Sequence, residues 1–147
     1  MSFHPAGMLR EGAHHYAVRV YYEDTDAGGV VYHATYLRLA ERARTEALRD
    51  LGVPHADLVN EHGLMFMVRR VKIDYAGSAR LDDLLAVTTR PLKIGAASVD
   101  LRQSFTRAGS AAELVAVEIQ LACVRLADQR PARIPPKWRE ALSRLAG

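Results

Sequence analysis

The sequence predicts an α+β fold, an antiparallel sheet of about five strands with one long helix packed on it. Three observations predict it. One segment repeats apolar residues at three- and four-residue spacing. Several others alternate apolar and polar residues with period two. The order runs strand, long helix, then strands in series, without the strand–helix alternation that builds a parallel sheet.

In chain order, residues 1–13 read as a loose leader. Tyr16, Val18, Val20 and Tyr22 then alternate with Ala17, Arg19, Tyr21 and Glu23, which predicts a strand. It ends in Asp24-Thr25-Asp26-Ala27-Gly28-Gly29, whose paired Asp and Gly residues read as a turn or loop. The long helix follows over about residues 34–51. Tyr36, Ala40, Ala43, Ala47 and Leu51 form its apolar stripe, and the small alanines suit close packing on a sheet. Gly52 fits the position just past the helix end, and Pro54 blocks continuation.

A weaker helical turn is expected over Pro54 to His62. A long strand, Leu64 to Tyr75, changes phase near Arg69-Arg70, which predicts a bulge there. Leu84 to Pro91, Ala97 to Thr106 and Val115 to Cys123 supply the remaining strands. Residues 135–147 start on Pro135-Pro136 and predict a short terminal helix, with Trp138, Leu142 and Leu145 as its apolar side.

Composition narrows the function classes. A chain of 147 residues suggests a single domain, 1–147. With 49% hydrophobic and 25% charged residues it is an ordinary globular composition, not a disordered one. No apolar stretch is long enough to span a membrane. The net charge of +3 suits a phosphate-bearing ligand and falls short of a nucleic-acid signature. The lone Cys123 excludes an internal disulfide and reads as a core residue. No Walker loop, dinucleotide fingerprint, nucleophile elbow or zinc-spaced His pair is present.

The segment Asp24 to His33 concentrates the unusual residues. Its plain reading is a strand–turn–helix connection whose Asp side chains satisfy turn amides. The chemical reading starts from the helix that follows. A helix N-terminus offers unpaired N–H groups and a positive dipole end. Such donors stabilise the oxyanion formed when a thioester or ester carbonyl is attacked. A nearby carboxylate can be nucleophile or base on water, and Gly28 and Gly29 let backbone approach a ligand.

The run from Arg19 to Ala34, including Glu23-Asp24-Thr25-Asp26-Ala27-Gly28-Gly29-Val30-Val31-Tyr32-His33, resembles the bacterial YbgC-type acyl-CoA thioesterases. These belong to the 4-hydroxybenzoyl-CoA thioesterase family and accompany the Tol–Pal envelope system. The likeness continues through Tyr36 and Glu41-Arg42-Ala43-Arg44-Thr45-Glu46, and returns at Ala79-Arg80-Leu81-Asp82-Asp83. It departs where many relatives have proline before Ala79; here Gly77-Ser78 stands.

The resemblance implies a hotdog fold, a sheet wrapped around one long helix, and hydrolysis of acyl-CoA. It places the catalytic aspartate on Asp26, as nucleophile or general base. It places the oxyanion amides around Tyr32, His33 and Ala34, with the His33 imidazole positioning substrate. Asp24 is then structural, and Glu41 is a helix-surface residue rather than the catalytic glutamate of a second hotdog class. Arg69, Arg70 and Lys72 are candidates for the coenzyme A phosphates. No cofactor is implied, because coenzyme A is part of the substrate. A homodimer or homotetramer with the site at its interface is implied, in the cytoplasm or at the inner-membrane periphery. Acyl carrier protein or envelope-associated proteins are further expected partners. The alternative is a hotdog protein that binds acyl-CoA or acyl carrier protein, or acts as an adaptor, without turnover.

Overall fold

The computed structural model describes residues 7–146. Helix α1 (Thr35–Asp50) forms where the sequence period places it. Its inward stripe is Tyr36, Leu39, Ala40, Ala43, Ala47 and Leu48, all buried. The helix stops in a Schellman motif. The Gly52 N–H donates to the Arg49 carbonyl at 3.0 Å, and the Val53 N–H to the Leu48 carbonyl at 2.9 Å. Gly52 has a φ of +82°, the left-handed conformation this motif requires.

Six strands make one antiparallel sheet: β1 (Gly7–Arg10), β2 (Ala13–Arg19), β3 (Leu64–Tyr75), β4 (Leu84–Ile94), β5 (Ser98–Arg107) and β6 (Glu113–Arg125). Their spatial order is β1-β2-β4-β5-β6-β3, so β1 and β3 are the edges. The bulge expected near Arg69-Arg70 is present: the β3–β6 register steps between Val68 and Arg70.

Two expectations are corrected. Part of the expected loose leader, 1–13, is a strand. β1 pairs with β2 from Gly7 opposite Tyr16 to Arg10 opposite Ala13. It is short and mostly exposed, so backbone pairing makes it rather than side-chain burial, and no alternation announces it. Residues 1–6 of that leader lie outside the described residues. The first predicted strand also ends early. β2 stops at Arg19, and Tyr22–Asp24 coil into a 3-10 turn instead of continuing the alternation.

Two further helices close the core. Helix α2 (His55–His62) ends on Gly63 at φ +63°, and α3 (Pro136–Leu145) docks through Trp138. The Trp138 side chain is fully buried and its Nε1–H donates to the Val53 carbonyl at 3.1 Å. Gly147, the last residue of the expected terminal helix, lies outside the described residues. Cys123 is buried as expected, and burial pushes its thiol pKa up, away from thiolate chemistry.

The interior is largely apolar, but it holds a fully buried His14, whose Nε2 meets Asp50 Oδ2 at 2.7 Å, and a polar cluster around Gln103. Gln103 on β5 donates from Nε2 to the Ala40 carbonyl at 2.9 Å and to Thr89 Oγ1 at 3.1 Å. Its Oε1 accepts from Arg44 Nη1 at 3.0 Å. Arg44 lies among the apolar residues of α1, and burial lowers its pKa. A long helix held against an antiparallel sheet is the hotdog arrangement the resemblance implies.

Candidate active site

The β2–α1 connection folds back on itself before the helix starts. Thr25 bridges Val31, and the Asp26 N–H donates to the Val30 carbonyl at 2.9 Å. The Gly29 N–H closes the turn onto the Asp26 carbonyl at 3.1 Å. Gly29 sits at φ +77°, which explains a glycine there. Asp26 is thereby displayed at the tip of a tight hairpin, with its side chain exposed. Its Oδ1 accepts the Gly28 N–H at 2.8 Å. Among the described residues nothing donates to its Oδ2.

Asp24 does different work. It is buried, and its Oδ2 accepts the Tyr21 N–H at 2.9 Å, which pins the 3-10 turn. Its carbonyl accepts the Tyr32 N–H at 3.0 Å, which ties the two arms of the hairpin together. The Tyr32 amide is therefore engaged within the loop and is no free oxyanion donor. Ala34 caps α1 without a side-chain hydrogen bond. Among the described residues the His33, Ala34 and Tyr36 N–H groups donate to nothing, so these amides are free at the helix entrance.

The connection between β3 and β4 braces this entrance. The Val31 N–H donates to the Ala79 carbonyl at 2.8 Å, and the Ala79 N–H donates to the buried Tyr36 hydroxyl oxygen at 3.0 Å. Burial raises the Tyr36 pKa, so the phenol stays neutral. Arg107 holds the same connection. Its Nη2 donates to the Ser78 carbonyl at 2.7 Å and its Nε to Asp83 Oδ2 at 3.0 Å. The Gly77-Ser78 pair is thus fastened from β5. Asp83 has a lowered pKa, chiefly because the Arg80 N–H donates to its carboxylate, with Arg107 adding to this.

His33 is exposed, with its ring centroid 4.4 Å from that of Tyr32. Tyr75, at the end of β3, donates from its hydroxyl to the His33 carbonyl at 2.9 Å. Tyr75 stands in the sequence only as the end of a strand; a contact across 42 positions leaves no local signal. Beside Asp26 a shallow groove of about 390 Å³ runs along Tyr22, Thr25, Ala27, Gly29 and Leu81. Tyr22 and Leu81 are its exposed walls; both lie within the segments that carry the resemblance, where neither is read as a site residue.

The structure brings Asp26, Gly28, Gly29, Tyr32, His33 and Ala34 into one short loop and helix entrance. It does not bring Arg69, Arg70 and Lys72 there within this chain. Arg69 is the bulge residue of β3. Arg70 faces Gln120 and Lys72 faces Glu118 across the ladder, and both line a separate depression of about 210 Å³ with Asp100. No cluster of metal-ligating side chains exists among the described residues, and no described helix is long and apolar enough to cross a membrane.

A family model described as the thioesterase-like superfamily matches residues 20–142, from the end of β2 into α3. The chain belongs to that superfamily, with the YbgC type. It is 43% identical over 130 residues to an acyl-CoA thioesterase YbgC of Haemophilus influenzae, covering 88% of this chain and 94% of that one. It is 36% identical over 132 residues to an acyl-CoA thioesterase YbgC of Helicobacter pylori, covering 85% and 96%. Among solved structures, a probable thioesterase from Bartonella henselae superposes with a TM-score of 0.77 at 35% identity, covering 84% and 99%. A 1,4-dihydroxy-2-naphthoyl-CoA thioesterase from Synechocystis superposes with a TM-score of 0.82, covering 89% and 96%. At 23% identity that likeness speaks for the hotdog fold alone.

Proposed function

We propose that this chain is an acyl-CoA thioesterase, hydrolysing acyl-CoA to free acid and coenzyme A with Asp26 as the reactive carboxylate. The observation that carries it is an exposed Asp26 with one oxygen fixed by the Gly28 N–H and the other free, on the loop that leads into the free amides of the α1 entrance. The YbgC-type relatives support the substrate class.

The thioester oxygen lies against the His33 and Ala34 N–H groups. Attack at the carbonyl carbon moves an electron pair onto that oxygen, where these amides and the helix end hold the charge. The attacking group is Asp26 Oδ2 itself, or a water that gives a proton to Asp26. Collapse breaks the C–S bond and expels the coenzyme A thiolate. In the nucleophile route water then cleaves the acyl–aspartyl anhydride. Either route consumes one water and yields one acid and one thiol. The His33 ring, exposed beside Tyr32, lines the approach and orients substrate.

We further infer a homodimer or homotetramer with the site at a subunit interface, acting in the cytoplasm. The open groove beside Asp26 supports the interface site, as do exposed Val68, Val71 and Tyr75 on the free edge of strand β3. Sedimentation showing only monomer would sink that part. Thiol release across short, long and aromatic acyl-CoAs tests the activity. Single turnover in ¹⁸O-water is read by mass spectrometry of Asp26: label there identifies the anhydride route, since only attack of water on the aspartyl carbonyl of the anhydride can leave label in the protein. Tight acyl-CoA binding without thiol release would replace hydrolysis by the binding-protein alternative.

A further inference from the structure

We propose that Tyr75 is a positioning residue for this site, acting through the peptide that joins His33 to Ala34. The inference rests on the thioester hydrolysis reading above and adds a residue to it. The Tyr75 hydroxyl donates to the His33 carbonyl oxygen at 2.9 Å. That oxygen has no helical partner: the first turn of α1 closes instead from the Leu37 N–H to the Ala34 carbonyl at 3.2 Å. The His33 C=O and the Ala34 N–H belong to the same planar trans peptide. A donor on the oxygen therefore fixes the direction of the N–H and strengthens it as a donor through the polarised amide. The Ala34 N–H is one of the free amides of the entrance, so the effect of Tyr75 is delivered where the thioester oxygen sits.

The hydroxyl is held by a row of rings. Phe105 meets Tyr36 edge-on at 5.3 Å, Tyr36 meets Tyr75 at 5.9 Å, and Tyr75 meets His33 at 6.5 Å. Phe105 and Tyr36 are buried in the core, so the row starts from fixed positions. Tyr75 itself is 46% exposed. That exposure is of the single chain, and Tyr75→Phe keeps the ring contacts with Tyr36 and His33, so the loss of the hydroxyl alone separates a role in the site from a role in packing.

The test is Tyr75→Phe, which keeps the ring row and removes only the donor. Wild type, Tyr75→Phe and Asp26→Asn are assayed for thiol release, melted by circular dichroism, and titrated with S-butyl-CoA, a thioether without a carbonyl. The expected result for Tyr75→Phe is a kcat about tenfold lower, with KM and thioether affinity within about twofold of wild type and an unchanged melt. A Tyr75→Phe enzyme with wild-type kcat, beside an inactive Asp26→Asn, would overturn the role of Tyr75 and leave the hydrolysis reading standing. Thioether affinity falling in step with kcat would also overturn it, since the hydroxyl would then serve ground-state binding. Wild-type protein without turnover would overturn the underlying reading and this proposal together.

Discussion

The Gly28 N–H lies 2.8 Å from Asp26 Oδ1, and a Cβ built on Gly28 would stand 3.2 Å from that same oxygen. The glycine lets the backbone close on the carboxylate and fixes which oxygen is free. Its φ is not in the left-handed region, so alanine is tolerated by the backbone. Gly28→Ala must push the carboxylate by a few tenths of an ångström. The expected outcome is a kcat about tenfold lower with an unchanged thermal melt. Steady-state thiol release beside calorimetry checks it, and wild-type turnover would show that the contact does not orient Asp26.

A second prediction concerns the buried polar cluster. Gln103 is fully buried, with hydrogen bonds to Arg44, Ala40 and Thr89. Gln103→Leu removes the acceptor from a buried guanidinium and is expected to cost about 3 kcal/mol of stability. The double variant Arg44→Met/Gln103→Leu is expected to recover much of that loss, because no charge is left unpaired. Urea denaturation of both variants measures it; equal losses in the two would show that packing, not the charge, sets the cost.

Much of this architecture is legible in the sequence because single elements carry their own signal. The α1 stripe, the Gly52-Pro54 stop and the phase change at Arg69-Arg70 are local patterns with local causes. The motif from Asp24 to His33 is equally local, and its likeness to YbgC-type thioesterases pointed to the family. What stayed hidden depends on partners distant in sequence. β1 has too few buried side chains to show a period, and only its pairing with β2 reveals it. The engagement of the Tyr32 amide by Asp24 follows from the hairpin, not from residue type. Arg70 and Lys72 face away from α1 because the bulge resets the alternation of β3, a phase the sequence marks only approximately.

The third prediction is a pH effect. His55 has a lowered pKa, first because of burial and then because of the Arg44 charge, with Arg49 adding to this and Glu41 opposing it. The folded chain therefore binds this proton less readily than the unfolded one. Its contribution to stability is full above the unfolded value of about 6.5 and is lost as pH falls through the lower folded value. Folding free energy from urea curves at pH 7.5 and 5.5 is expected to drop more for wild type than for His55→Gln. The difference is bounded at about 1.4 kcal/mol per pH unit for one group. Parallel drops would assign the pH dependence to other groups.

The most direct measurement is thiol release from short, long and aromatic acyl-CoAs by wild type and Asp26→Asn side by side. Asparagine keeps the side-chain shape and an oxygen for the Gly28 N–H, and removes the charge. Wild type is expected to turn over at least one acyl class and the variant to lose about a thousandfold or more, with an unchanged melt. Equal rates in the two proteins would contradict the role of Asp26, and wild-type protein that binds acyl-CoA without releasing thiol would contradict the activity itself.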